Sequence, residues 1–266
     1  MSPLWAEEAG DSADPLVVLI HGSMDRSAGM LKLSRCLDGD FRVLRYDRRG
    51  YGRSFPHAGP FTMDAQVDDL VDLLAGRRAV LIGHSYGGNV ALATADHHPQ
   101  LVAGVAVYET PLSWEPWWPV TTAGSIAVAE AAKPGEAAER FLRRMLGDQR
   151  WNALPARSKE VRRAEGVAMV EELADLRRHQ PWVPERIEVP VITAFGSLGA
   201  PHHRDAMTYA AGLLKCPVVE LPDCRHDAPL SHSDLLRALV VDPLLARAGP
   251  PWSTAALPTG LTTKRP

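Results

Sequence analysis

Six short apolar runs, at residues 16–20, 41–46, 79–82, 102–108, 189–195 and 218–221, constrain the fold of this chain more than any other feature. Each is closed by glycine, proline or charge, and none alternates apolar with polar. Continuous runs of this length mark strands buried on both faces of a parallel sheet. Helical patterns lie between them. In residues 62–76, Met63, Val67, Leu70, Val71 and Leu74 recur at helical spacing, while Asp64, Asp68, Asp69 and Asp72 are expected on the other side. Thr62 is expected to cap this helix and Gly76 to stop it. The alternation predicts an α/β fold, a doubly wound and mostly parallel sheet with helices on both faces, whose ligands bind beyond the carboxyl ends of the strands.

Residues 111–188 break the pattern. They hold no convincing buried strand, but they contain helical stretches at 136–146 and 159–178 and five of the seven tryptophans: Trp114, Trp117, Trp118, Trp151 and Trp182. This is the signature of a helical cap inserted into a core made of 1–110 and 189–248. Its tryptophans serve either as an apolar wall over a pocket or as anchors that hold the insertion down. Residues 249–266, rich in Pro, Gly and Thr, are expected to lie loosely on the surface.

With 266 residues, 45% of them hydrophobic, the chain can bury one large core. A net charge of -3 without basic runs gives no electrostatic case for nucleic acid or an anionic membrane, and leaves a small-molecule substrate as the natural partner. A homodimer stays open. Acids rather than a basic apolar leader follow Met1, and no run reaches the roughly 18 apolar residues of a membrane span, so a cytoplasmic location is expected. Cys36, Cys216 and Cys224 form no CxxC pair and are expected to be buried small hydrophobes.

The chemistry is concentrated in Gly83-His84-Ser85-Tyr86-Gly87, between a strand and a helix. Glycines at 83 and 87 let the backbone double back and thrust Ser85 outward, where the first helical amides and the helix dipole meet an oxyanion. Together with His21-Gly22-Ser23-Met24 after the first strand, Asp47-Arg48-Arg49-Gly50-Tyr51-Gly52-Arg53-Ser54 after the next, and Leu221-Pro222-Asp223-Cys224-Arg225-His226 near the end, this motif resembles the α/β-hydrolase family over residues 15–240. The resemblance implies oxyanion donors at the amides of Tyr86 and Ser23, with Met24 the second choice. His21 and His84 are expected to pack locally, and the Asp47 turn to be structural.

Serine at its ordinary pKa needs an imidazole to take its proton. His226, in the loop after the last strand and before a helix near Ser231, is the choice, with His232 the runner-up. The His202-His203 and His97-His98 pairs would project about 100° apart on a helix and make no metal pair, so both are expected at the surface and no metal is called for. The acid departs from the family's common pattern. The loop after residues 189–195 reads Gly196-Ser197-Leu198-Gly199-Ala200-Pro201, without a carboxylate before Asp205. Glu109, which ends the strand after the nucleophile's, is preferred over Asp205 and Asp227, giving the chain order Ser, Glu, His.

These residues predict a serine hydrolase that cleaves a small, mainly apolar ester, lactone or thioester through an acyl-enzyme on Ser85, with no cofactor. Met24, Trp114, Trp117 and Trp118 are expected to line the substrate. An acyl transferase or cyclase, a carbon-carbon hydrolase, and a ligand receptor with little turnover are the alternatives on the same fold.

Overall fold

The computed structural model describes residues 4–129 and 132–249, so the tail beyond Gly249 lies outside the described residues. Seven strands form one sheet: β1 (Ala6–Ala9), β2 (Leu16–Ile20), β3 (Arg42–Tyr46), β4 (Ala79–His84), β5 (Val102–Tyr108), β6 (Val191–Gly196) and β7 (Val218–Leu221). Their order is β1-β3-β2-β4-β5-β6-β7, with β1 antiparallel to β3 and every other pair parallel.

Period-2 geometry explains the unbroken apolar runs. Leu16, Val18 and Ile20 of β2 pack into one hydrophobic cluster, and Val17 and Leu19 into the cluster on the opposite face. Helices α1 (Leu31–Leu37), α2 (Met63–Leu74) and α3 (Tyr86–His97) cover the two faces. Each buried Leu, Ile or Val contributes about 1.5–3 kcal/mol, so β2, β4 and β5 supply much of the driving force. The chain runs from β2 outward to β3, then crosses back to β4 on the other side of β2, which opens a crevice at the carboxyl ends of β2 and β4.

Thr62 caps α2, its hydroxyl accepting the Ala65 amide, and Ala75 takes the left-handed turn one residue before Gly76. Asp64, Asp68 and Asp72 are exposed as expected, but Asp69 is buried, where it receives two hydrogen bonds from the Arg49 guanidinium. Of the cysteines only Cys224 is fully buried; Cys36 and Cys216 are half-buried.

Between β5 and β6 the described residues form helices α4 (Ala123–Ala129), α5 (Pro134–Leu146), α6 (Asp148–Ala153), α7 (Ala156–Ala164) and α8 (Gly166–Arg178), and no strand. The single helix expected over 159–178 is broken at Glu165. A Cβ at Gly166 would sit 2.2 Å from the Pro134 carbonyl oxygen, so α8 crosses the start of α5 too closely for a side chain. The break also turns the fully buried Glu165 carboxylate toward the core, where it accepts hydrogen bonds from Arg26 and the Gly52 amide. Trp182 ties this segment to the sheet's layer, its indole N–H donating to Asn89 of α3 at 3.0 Å, whereas Trp151 donates to Glu139 of α5 within the segment itself, also at 3.0 Å, and Trp114 stands edge-on against Trp182. After β6 come α9 (Pro201–Leu214) and, beyond β7, α10 (Ala228–Ser231), α11 (Ser233–Leu236) and α12 (Asp242–Ala248). The helix expected near Ser231 therefore starts earlier, two residues after His226. No helix among the described residues is long and apolar enough to cross a membrane.

Candidate active site

β4 ends one residue before Ser85 and α3 begins one residue after it, so the whole reversal falls on the serine. Its backbone sits at φ 54°, ψ -126°, a conformation that costs a non-glycine residue about 1–3 kcal/mol. Two contacts hold it there: the Ser85 amide donates to the Tyr108 carbonyl and the Gly88 amide donates to the Ser85 carbonyl, each at 2.9 Å. The flanking glycines are required by proximity. A Cβ at Gly83 would lie 2.4 Å from the Gly88 Cα, and one at Gly87 would lie 2.3 Å from the Ile20 carbonyl oxygen.

The loop after β2 abuts the serine, since a Cβ on Gly22 would be 2.8 Å from Ser85 Cβ and 3.3 Å from its Oγ. This brings the segment expected to donate to an oxyanion against the hydroxyl. Ser23 Oγ donates to Glu172 of α8 at 2.6 Å, and Met24 is buried with a left-handed φ of 58°. Glu172, fully buried, also accepts from both terminal nitrogens of Arg48, from the Tyr51 hydroxyl and from Gln66. This glutamate was not singled out in the sequence, although Glu165, Met169, Glu172, Leu173 and Leu176 share one helical face and a carboxylate on an apolar stripe is a signal.

Glu109 closes the far side. It is fully buried at the end of β5 with φ 48°, its amide donates to the Ala194 carbonyl, and its Oε1 accepts the Gly196 amide at 3.0 Å. Its Oε2 lies 2.6 Å from Nδ1 of His226. Tyr108 fixes the loop that carries this histidine by donating its hydroxyl proton to the Arg225 carbonyl at 2.7 Å. Burial alone would raise the Glu109 pKa, but the close imidazoles of His203 and His226 outweigh it and hold the carboxyl well below the usual range. The rival acids lie elsewhere: Asp205 is exposed beside Arg204, and Asp227 is exposed at the start of α10. His232 is exposed and bonded to Ser231.

Two pairs of histidines depart from one another. His97 and His98 are exposed or half-buried, as expected, but His202 and His203 belong to the site because α9 packs along β6 and lays its first turn over Glu109. His203 Nδ1 lies 2.7 Å from the same Oε2 that receives His226, and the two imidazoles stack at 4.6 Å. A ring nitrogen of each histidine and a carboxylate oxygen of Glu109 lie close enough together to hold a metal ion.

His21 and His84 pack locally. His21 accepts the Arg48 amide on Nε2 and donates from Nδ1 to the Gly22 carbonyl, and burial lowers its pKa. His84 is buried 4.6 Å from the His226 ring with neither nitrogen hydrogen-bonded in good geometry, and burial pushes its pKa to about 3. The Asp47 carboxylate accepts the Ser27 and Arg53 amides, as a structural turn requires. Ser85 Oγ makes no hydrogen bond among the described residues. Trp118 is buried with His202 edge-on at 5.1 Å, while Trp117 is 40% exposed against Tyr209. Surface hollows of about 370 and 450 Å³ are lined by residues 187–191, 214–217 and 247 and by Glu115, Gln180, Val183, Pro184, Glu185, Tyr209 and Leu213; neither touches Ser85.

The model of the "Alpha/beta hydrolase family" matches residues 17–239. Among curated proteins, Epoxide hydrolase 4 of Mus musculus is 32% identical over 108 residues, 39% of this chain and 30% of that protein. An sn-1-specific diacylglycerol lipase of Danio rerio is 38% identical over 105 residues, 38% of this chain and 32% of that protein. The matched part thus spans about a third of the length of these relatives. Among solved structures, a thermophilic esterase from Thermogutta terrifontis superposes with a TM-score of 0.68 at 24% identity, covering 88% of this chain and 92% of that one. The enol-lactonase from Burkholderia xenovorans gives 0.66 at 25%, covering 88% and 94%.

Proposed function

Because this chain belongs to the alpha/beta hydrolase family, we propose that it is a serine hydrolase in which Ser85 attacks the carbonyl carbon of a small ester, lactone or thioester. The observation that carries this reading is the 2.6 Å contact between His226 Nδ1 and Glu109, at the same strand ends as the strained Ser85 turn. With Nδ1–H committed to the carboxylate, Nε2 of His226 is left with its lone pair free to accept a proton. Rotation of the unbonded Ser85 hydroxyl toward that nitrogen starts the reaction, as catalytic hydrogen bonds tighten once substrate is bound.

As Oγ bonds to the carbonyl carbon, its proton passes to Nε2 and the carbonyl oxygen becomes an oxyanion facing the amides of Tyr86 and Ser23. Collapse expels the alcohol or thiol, which takes the proton from Nε2 and leaves Ser85 acylated; in a lactone the leaving hydroxyl stays on the acyl chain. Water then gives a proton to His226 as it attacks the acyl carbon, and collapse breaks the bond to Ser85 Oγ, which regains that proton from His226 as the acid leaves. Met24 and, from the helical cap of residues 111–188 itself, Trp114, Trp117 and Trp118 are the apolar side chains proposed to line the acyl side. The curated relatives include epoxide hydrolases, but a serine that opened an epoxide would form an ether with no carbonyl for water to attack. Serine at position 85 therefore favours carbonyl substrates.

A fluorophosphonate probe should label Ser85, identified by mass mapping, and release of p-nitrophenol from a short p-nitrophenyl ester should vanish in Ser85→Ala. Absence of both labelling and turnover in the folded wild type across an ester, lactone and thioester panel would remove the hydrolase reading.

A further inference from the structure

We propose that His203 is a positioning residue of this site, which divides the Glu109 carboxylate with His226 and so sets how readily His226 takes up a proton. Two imidazole nitrogens reach one oxygen: His226 Nδ1 at 2.6 Å and His203 Nδ1 at 2.7 Å from Glu109 Oε2. Of the two, the His226 contact has hydrogen-bond alignment and the His203 contact does not. The other carboxylate oxygen, Oε1, accepts the Gly196 amide, so it is Oε2 that faces both rings. The rings stack at 4.6 Å, which fixes their separation.

This geometry dictates protonation. A nitrogen lone pair cannot face a carboxylate oxygen at this distance, so both rings carry their proton on Nδ1, a tautomer assigned from the contacts. Glu109 holds one negative charge and can neutralise one imidazolium. When His226 gains its second proton during acyl transfer, His203 must stay neutral, since a stacked pair of cations would repel. Burial and the neighbouring His226 both disfavour a charge on His203, against the pull of Glu109. The remaining titratable groups around it do not relieve the competition. His202 lies edge-on at 4.3 Å, itself held neutral by burial, and His84 backs His226. Asp205 on the same helix pairs with Arg204, and Arg225 of the facing loop reaches the Leu198 carbonyl. Asp25, in the loop after β2, reaches His226 only through its charge, so among the described residues Glu109 is the one carboxylate in contact with both rings, and its pull on His203 weakens its hold on His226.

The inference deepens the proposed triad and rests on it, but its test does not require turnover. His203→Phe keeps a stacking ring without a donor, and His203→Asn keeps an N–H donor that cannot titrate. Histidine NMR titration of the full chain, with His226 assigned by His226→Gln, should show the His226 pKa at least half a unit higher than in the wild type in the folded Phe variant, and nearer the wild-type value in the Asn variant, which keeps a competing donor. The acid limb of kcat/KM should move up by the same amount. A His226 pKa that is unchanged or lower in the folded Phe variant would overturn the proposal. A raised pKa with no fluorophosphonate labelling at any pH would support the shared carboxylate while rejecting the hydrolase reading. A purely structural His203 would lower stability or the whole pH profile without displacing its limb.

Discussion

Glu109 combines complete burial, a left-handed backbone and one oxygen that faces two imidazoles, so its replacement by the isosteric amide changes more than charge. An amide nitrogen at Oε2 would oppose the Nδ1 protons, favouring the wrong tautomer of His226. Glu109→Gln should therefore reduce kcat by about 10³–10⁴-fold with little change in KM, measured on whichever ester Ser85 turns over. An effect below tenfold would show that another acid orients His226. Ser85 and His226 could be singled out in the sequence because they sit in turns with recognisable spacing. Glu109 could be reached by the lack of a carboxylate after β6. His203 could not, because helical phase says which way two adjacent side chains diverge but not which surface the helix lies on.

At the scale of elements, the six strands were legible because their residues carry the signal themselves, although β7, at the end of the sheet, buries only Leu221 fully and leaves Val218 and Glu220 exposed instead of being covered on both faces. The β1 strand was not: Ala6, Glu7, Glu8 and Ala9 have no strand pattern, and the element is set by antiparallel backbone pairing with β3, where Glu7 meets Arg45 and Glu8 meets Arg42, while Arg77 reaches Glu8 from the loop before β4. The break between α7 and α8 was hidden for a similar reason, since Gly166 faces Pro134 across the fold. Glu172 shows what such long-range contacts carry. It ties α8 to Ser23, Arg48 and Tyr51, and a neutral residue in its place leaves the buried Arg48 without a counter-charge. Glu172→Ala should cost about 3–5 kcal/mol in urea unfolding, a loss that a surface pair would not approach. It should also reduce kcat more than it raises KM, because the loop holding the Ser23 amide loses its tether. A destabilisation under 1 kcal/mol would show that the network relaxes freely.

For the whole molecule, the buried histidines set how stability responds to acid. His84 is pushed to about 3 and His202 to about 4, and His21 is lowered too, mainly by burial. A group whose folded pKa lies below its unfolded value, about 6.5 for histidine, binds fewer protons when folded, so stability is complete above that value and falls as the pH drops toward the folded pKa. Glu109, also lowered, adds its loss below the unfolded carboxyl value of about 4.3. Urea midpoints should therefore decline between about pH 6.5 and 4, then more steeply. Since both His84 ring nitrogens lack well-formed hydrogen bonds, His84→Phe should retain most activity at pH 7 and flatten the first part of that decline. An unchanged slope would assign the titration to other groups.

Glu165, at the break between α7 and α8, and Glu172 of α8 have a consequence for how this architecture could change. Arg26, Arg48 and Tyr51 are built into loops of the sheet, yet the acids that satisfy them belong to the insertion. Shortening or exchanging residues 111–188 would strand a guanidinium in the interior, so any substitute segment must bring its own anions to the same two spots before it can offer a new binding wall.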